Sequence, residues 1–235
     1  MLFRSVQHSI WIVNDDKVIE AITKYFKELV PHSYIADGHH RAASAAKVRK
    51  ELGIHATENA DIFLTTLFPS NQLAIMDYNR LVKDLNGLTS AEFLQKLEEK
   101  FSIEKKDKAY RPEALHDFGF YLDNQWYKLS SKAGTYTEDP IGILDITILQ
   151  EQVLEPLLGI KDQRTDKRID FVGGIRGLEE LEKRVNSGEM KLAVSLHPVS
   201  IEQLFNIADS GNVMPPKSTW FEPKLRDGLL THLID

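Results

Sequence analysis

The stretch Tyr34-Ile35-Ala36-Asp37-Gly38-His39-His40-Arg41, with Ala42 to Leu52 after it, decides how the rest of the chain is read. Tyr34 to Ala36 reads as the end of a short strand. Ala42 to Leu52 is rich in helix formers and stops at Gly53, where a C′ glycine belongs. Asp37 to Arg41 therefore falls where a strand turns into a helix. The first N–H groups of a helix are unpaired, and its dipole favours an anion there. Gly38 lets the backbone bend and leaves room for a ligand. His39, His40 and Arg41 bring donors and one fixed positive charge to that mouth, and a guanidinium suits a two-pronged grip on phosphate or carboxylate. Asp37 is also an ordinary N-cap and Gly38 an ordinary turn residue. Two histidines and an arginine are more than a cap requires, so the reading favours an anion site. Asp37, His39 and His40 are competent metal ligands. Adjacent helical residues point about 100° apart, however, so no metal is assigned.

Around this stretch lie 235 residues, 42% hydrophobic and 27% charged, ordinary for a globular chain with a sizeable core. Cysteine is absent, which removes disulfides, thiolate chemistry and cysteine metal sites and leaves the redox compartment undecided, with the cytoplasm as default. Met1-Leu2-Phe3-Arg4 does not open a signal peptide. No apolar run is long enough to span a membrane. A formal net charge of −6 argues against a broad nucleic-acid-binding face and leaves room for a small anionic ligand in a local basic pocket.

Upstream, Val6 to Val13 is β-prone, and Asn14-Asp15-Asp16 caps a helix from about Lys17 to Leu29. Downstream, Asp61 to Phe68 reads as a buried strand returning through Leu73 to Met76, and Arg80 faces either solvent or a pocket. Thr89-Ser90-Ala91-Glu92 is a capping box opening a helix to about Lys100. The charged run to Lys108 reads as a solvated face. Phe118 to Leu122, Asp123-Asn124-Gln125 and Trp126 to Leu129 form a hairpin signature. Asp145 caps an apolar helix from Ile146 to Leu158, which Gly159 closes. Asp170 to Gly174 and Met190 to Leu196 are strands, Leu178 to Val185 a helix, and Ser200-Ile201-Glu202-Gln203 a second capping box. Alternating strands and helices from Asp170 to Asp209 point to an α/β layer.

Two further constellations carry candidate chemistry. Gly211 to Thr219 has the spacing of a P-loop, but Pro216 stands at the second glycine and gives no N–H to a phosphate, so a true P-loop is set aside. Lys217, Ser218 and Thr219 still offer one charge and two hydroxyls. Asp170, with Gly173, Gly174 and Arg176, permits close backbone approach beside a charge. His8, polar within an apolar segment, is a further candidate.

Four segments together resemble the bacterial and archaeal domain-of-unknown-function family 1015. They are Tyr34 to Ala45; Asp145 to Leu149 with Glu155 to Gly159; Asp170 to Gly174; and Met214 to Lys224. Members of that family are usually longer, so the resemblance makes this chain the C-terminal portion. Asp37-Gly38-His39-His40-Arg41 is also similar to the signature of free-serine kinases of the ParB and sulfiredoxin nucleotide-binding fold. That resemblance implies Gly38, His39, His40 and Arg41 at a phosphate and Asp37 positioning an acceptor hydroxyl or Mg²⁺. It makes Asp37 and His40 the catalytic candidates, and ATP or ADP with Mg²⁺ the cofactors. The kinases also use an acidic residue upstream, for which no counterpart is assigned here.

The expected fold is α/β in the mixed α+β sense, a ParB-like element followed by further sheet and helices. Residues 1–110 carry the motif and 111–235 form a C-terminal region packed with it into one globular unit. The expected function is nucleotide or phosphate binding with phosphotransfer to a small hydroxyl compound such as an amino acid. The alternative is a non-catalytic module that senses a nucleotide or other anion. Oligomeric state is not readable from the residues.

Overall fold

The structure, a computed structural model, describes residues 2–3, 6–224 and 228–234. The chain divides into two compact units, Met1–His39 and His40–Asp235.

The first unit holds a two-stranded antiparallel ribbon, β1 (Leu2–Phe3) and β2 (Val6–Gln7), and helix α1 (Asp16–Leu29). Asp15 caps α1 by accepting the Lys17 N–H at 2.9 Å and the Val18 N–H at 3.3 Å. The helix is sharply amphipathic, with Val18, Ile19, Ile22, Phe26 and Leu29 in one stripe, yet none of its residues is buried. Residues 8–15 and 30–37 carry neither helix nor strand, so the extended segments expected at Val6–Val13 and Tyr34–Ala36 are mostly irregular.

Helix α2 (His39–Leu52) follows, and Gly53 ends it at φ +56° as expected. Residues 62–69 are extended coil rather than a strand, with Ile62, Phe63, Leu64 and Leu67 more than half exposed. Among the described residues no strand pairs with this segment. The short strand β3 (Ala74–Met76) instead pairs with residues 220–222 at the far end of the chain.

The main body is a six-stranded sheet. Its members are β4 (Tyr78–Val82), β5 (Phe101–Lys106), β6 (Asp117–Leu122), β7 (Gln125–Ser131), β8 (Ile169–Gly173) and β9 (Leu192–Leu196). Their order is β5-β7-β6-β9-β4-β8, and every adjacent pair is antiparallel. β8 and β9 are joined by helix α5 (Leu178–Asn186) and run parallel to each other with β4 threaded between them, a split βαβ unit.

Period-two alternation gives the sheet two buried apolar faces. Val82, Phe118, Phe120, Leu122, Leu129, Leu192, Val194 and Leu196 look one way, under Phe93 and Leu97 of α3 (Ser90–Leu97) and under Ile146, Ile148 and Leu149 of α4 (Asp145–Leu149). Leu81, Tyr121, Trp126, Val172 and Ala193 look the other way, under Leu181 of α5. The expected apolar helix after Asp145 is therefore present, but it passes into a π turn at Gln150–Leu154 and closes at Gly159 with φ +67°.

Both capping boxes form: Thr89 with Glu92, and Ser200 with Gln203 at the start of α6 (Ile201–Asp209). The hairpin turn places Asp123 at φ +50° and Asn124 at φ +61°, the type I′ geometry that matches strand twist. The charged run after Lys100 is not a bare face: Phe101–Lys106 is the edge strand β5. β10 (Trp220–Glu222) completes the small ribbon with β3.

Candidate functional site

Helix α2 starts at His39, so the glycine corner does stand at a helix mouth. Gly38 has φ +88°, a backbone state in which a Cβ is strained, and its N–H donates to Asp37 Oδ1 at 2.8 Å. Asp37, His39, His40 and Arg41 are all exposed, so the corner is not filled by packed side chains. Within the second unit, His40 and Arg41 line a shallow open cavity of about 340 Å³ together with Ser44, Ala45, Val48 and Ile234. Ser44, Ala45 and Val48 lie one and two turns on from His40 and Arg41, so a single helix face supplies most of the wall. The wall is largely apolar, from Ala45, Val48 and Ile234, with His40, Arg41 and Ser44 as its polar members.

The second gathering lies on the sheet. Lys217 has φ +59°, and its Nζ stands 5.6 Å from the ring centroids of both Tyr78 and Phe171. Its carbonyl accepts from Arg80 Nη2 at 3.0 Å. Ser218 is buried, with its hydroxyl donating to the Pro215 carbonyl, and Thr219 is half-buried beside it. Ser218 thus closes its own loop and presents no hydroxyl proton outward.

The remaining candidates divide. Asp170 takes the Phe171 N–H at 2.8 Å and pairs with Arg184 at 2.7 Å. Burial pushes its carboxyl up, but the Phe171 N–H and Arg184 outweigh this and hold it below the usual carboxylate range. Arg176 is exposed in the turn after β8, and His8 is half-buried in the first unit. Gly173 and Gly174 do serve close approach, but to protein. A Cβ on Gly173 would meet the Trp220 ring at 2.7 Å, and one on Gly174 would run into Asp77 Oδ1.

The structure adds a buried polar cluster at the start of β4 that sequence reasoning did not single out. Asp77 is buried; it bonds Arg111 Nη1 at 3.2 Å and accepts from Asn79 Nδ2, while Asn79 Oδ1 takes the Leu196 N–H at 3.0 Å. Arg80 beside it is fully enclosed, and desolvation lowers its pKa to about 9. The signal was present: a polar pair, Asn79-Arg80, interrupts an apolar strand. Nothing local shows that both polar side chains turn inward.

A family model described as a protein of unknown function, DUF1015, matches residues 2–147. The chain belongs to that family. No curated protein is similar enough in sequence to count as a relative of this DUF1015 protein. Among solved structures, a free serine kinase in complex with AMP is similar at 14% identity and a TM-score of 0.47, covering 89% of this chain and 81% of that one. A mutant of that kinase in complex with ADP aligns at 16% identity and a TM-score of 0.43, with the same coverage. A conserved hypothetical protein from Pyrococcus furiosus aligns at 16% identity and a TM-score of 0.45, over 88% of this chain and 81% of that one. These likenesses are distant. Among the described residues no helix is long and apolar enough to cross a membrane.

Proposed function

We propose that this DUF1015 protein binds a nucleotide or a related phosphate ligand at the Asp37–Arg41 corner and passes a phosphoryl group to a small hydroxyl compound such as a hydroxy amino acid. The observation that supports this most directly is the exposed glycine corner at the mouth of α2, with His40 and Arg41 lining an open cavity. We read the element that carries the motif as ParB-like, on the strength of the Asp-Gly-His-His-Arg sequence. Transfer of a phosphoryl group asks a protein mainly for positioning and charge neutralisation, which a guanidinium, imidazoles and backbone N–H groups supply. Mg²⁺ is commonly held by one or two carboxylates together with the phosphates themselves. Asp37 is the carboxylate the motif offers for that role, and its exposure fits it. Lys217 and Thr219 are the second set of groups assigned to the ligand's phosphates. Ser218 joins them through its backbone, since its hydroxyl is engaged with Pro215.

Isothermal titration with ADP, ATP and pyrophosphate, with and without Mg²⁺, tests the reading. Arg41→Ala is expected to weaken binding on the order of tenfold to a hundredfold, the loss of one charge-assisted pair. Absence of binding by the parent, or an Arg41→Ala variant that binds equally well, would count against it. Turnover with a panel of hydroxy amino acids then separates a phosphotransferase from a sensing module, which binds without turnover.

A further inference from the structure

Arg80 carries a charge where charges are costly. It lies on β4 between β8 and β9, and its side chain is fully buried on the face covered by α3 and α4. Among the described residues its hydrogen bonds go to neutral acceptors. Nε donates to Gln163 Oε1 at 3.2 Å, Nη1 to the Tyr78 carbonyl, and Nη2 to the Lys217 carbonyl at 3.0 Å. The Phe171 ring centroid lies 5.4 Å from its Cζ. Among the described residues no carboxylate pairs with Arg80 or with Lys217. A residue needed only to fill this space would be apolar, as Leu81 and Val82 beside it are.

Each arm of the fork is itself oriented. Gln163 donates from its Nε2 to Gln150 Oε1 at 2.9 Å, and Gln150 stands in the π turn that ends α4. The third arm joins residues 137 positions apart and meets a lysine in the left-handed region, a state that few non-glycine residues adopt. That backbone state sends the Lys217 ammonium over the Tyr78 and Phe171 rings. Tyr78 is in turn fixed edge-on by Trp220, with centroids 5.4 Å apart.

We infer that Arg80 is a positioning residue, a buried clamp on the Lys217 carbonyl that holds the Lys217 ammonium in place as a cation for the anionic ligand. This rests on the assignment of Lys217 to that ligand under the proposed function. A guanidinium suits the task because its planar fork reaches three acceptors at once, whereas an ammonium is a point charge. A pKa of about 9 keeps the fork protonated at neutral pH. An anion bound by Lys217 supplies the negative charge that this pair of cations lacks among the described residues.

The test uses the whole chain with Arg80→Lys, Lys217→Ala and the double variant. After reductive ¹³C-methylation, the Lys217 dimethylamine resonance, assigned by its loss in Lys217→Ala, is expected upfield because of the two rings. In Arg80→Lys it is expected to move to the position of solvent-exposed lysines; an unmoved signal overturns the clamp. In pyrophosphate titrations Arg80→Lys and Lys217→Ala are each expected to weaken binding about tenfold, and the double variant no further, because Arg80 acts through Lys217. Multiplying losses, or parent-like binding by Arg80→Lys, overturn it as well. If the parent takes no pyrophosphate, the proposed function fails while the resonance still decides the clamp. Should Arg80→Lys not fold, Gln163→Leu leaves the guanidinium and removes one acceptor. The Lys217 signal is expected to shift there too, and an unchanged signal overturns the inference.

Discussion

Asp145 begins α4 with only 4% of its surface exposed. One carboxylate oxygen accepts the His116 N–H at 2.8 Å, and the other has no hydrogen-bond partner among the described residues. Burial raises its pKa to about 7; the His116 N–H opposes that and nearby Asp117 reinforces it. In the unfolded chain the same group titrates at about 3.9. Between these values the folded state holds a proton that the unfolded state gives up, so stability is full below about pH 4, falls as pH rises, and levels off above about 7. A shift of three units corresponds to about 4 kcal/mol at most. Asp145→Asn keeps an acceptor for His116 and carries no charge. Urea unfolding at pH 5 and pH 8 is expected to show the parent about 2–3 kcal/mol less stable at the higher pH, with that slope largely removed in the variant. An equal slope in both would refute the assignment. Arg80 offers the same lesson in legibility. The sequence leaves it facing either solvent or a pocket, and only the three acceptors, two of them from distant parts of the chain, show that it does neither.

Elements were legible where their chemistry is local. The two capping boxes and the Asp123-Asn124 turn are each specified within a few residues, and all three form. Thr89→Ala removes a hydroxyl that accepts the Glu92 N–H at 3.2 Å and is expected to cost about 1 kcal/mol. Asn124→Gly places the residue that a type I′ turn prefers at φ +61° and is expected to stabilise the hairpin by about 0.5 kcal/mol. Thermal melts read both, and a destabilised Asn124→Gly would contradict the turn assignment. Gly174→Ala would drive a methyl into Asp77, which Arg111 and Asn79 hold in place. A loss of about 2 kcal/mol is expected, from overpacking alone. Elements were misread where pairing is distant. β5 looked like a solvated face because its Glu104, Lys105 and Lys106 protect a sheet edge, the device that keeps edge strands from pairing with other chains. Asp61 to Phe68 looked like a strand from apolar content, but residues 62–69 are coil and β3 finds its partner in β10 instead.

At the scale of the molecule, the buried core among the described residues belongs to the second unit. The first unit leaves Trp11 82% and Ile12 87% exposed, and no residue of α1 is buried. Such apolar surface is what hydrophobic dyes and other proteins adhere to. Ile22→Glu combined with Phe26→Glu is therefore expected to lower binding of a hydrophobic dye while moving the Tm of the sheet unit by no more than about 1 °C, as for other substitutions at exposed positions. A clear drop in Tm would mean that the stripe carries folding energy. Site legibility follows the same division: the Asp37–Arg41 corner is contiguous and readable, whereas the surroundings of Lys217 require β4, β8 and the loop before β10 to meet. The threading of β4 between β8 and β9 also bears on synthesis. The ribosome delivers Tyr78–Val82 on the order of a hundred residues before Leu192–Leu196 emerges, roughly ten seconds at ordinary elongation rates. Until Ile169–Gly173 emerges the nascent chain displays β4 with both hydrogen-bonding edges open, and until Leu192–Leu196 follows it keeps one edge open; this is the period in which self-association competes with completion of the sheet.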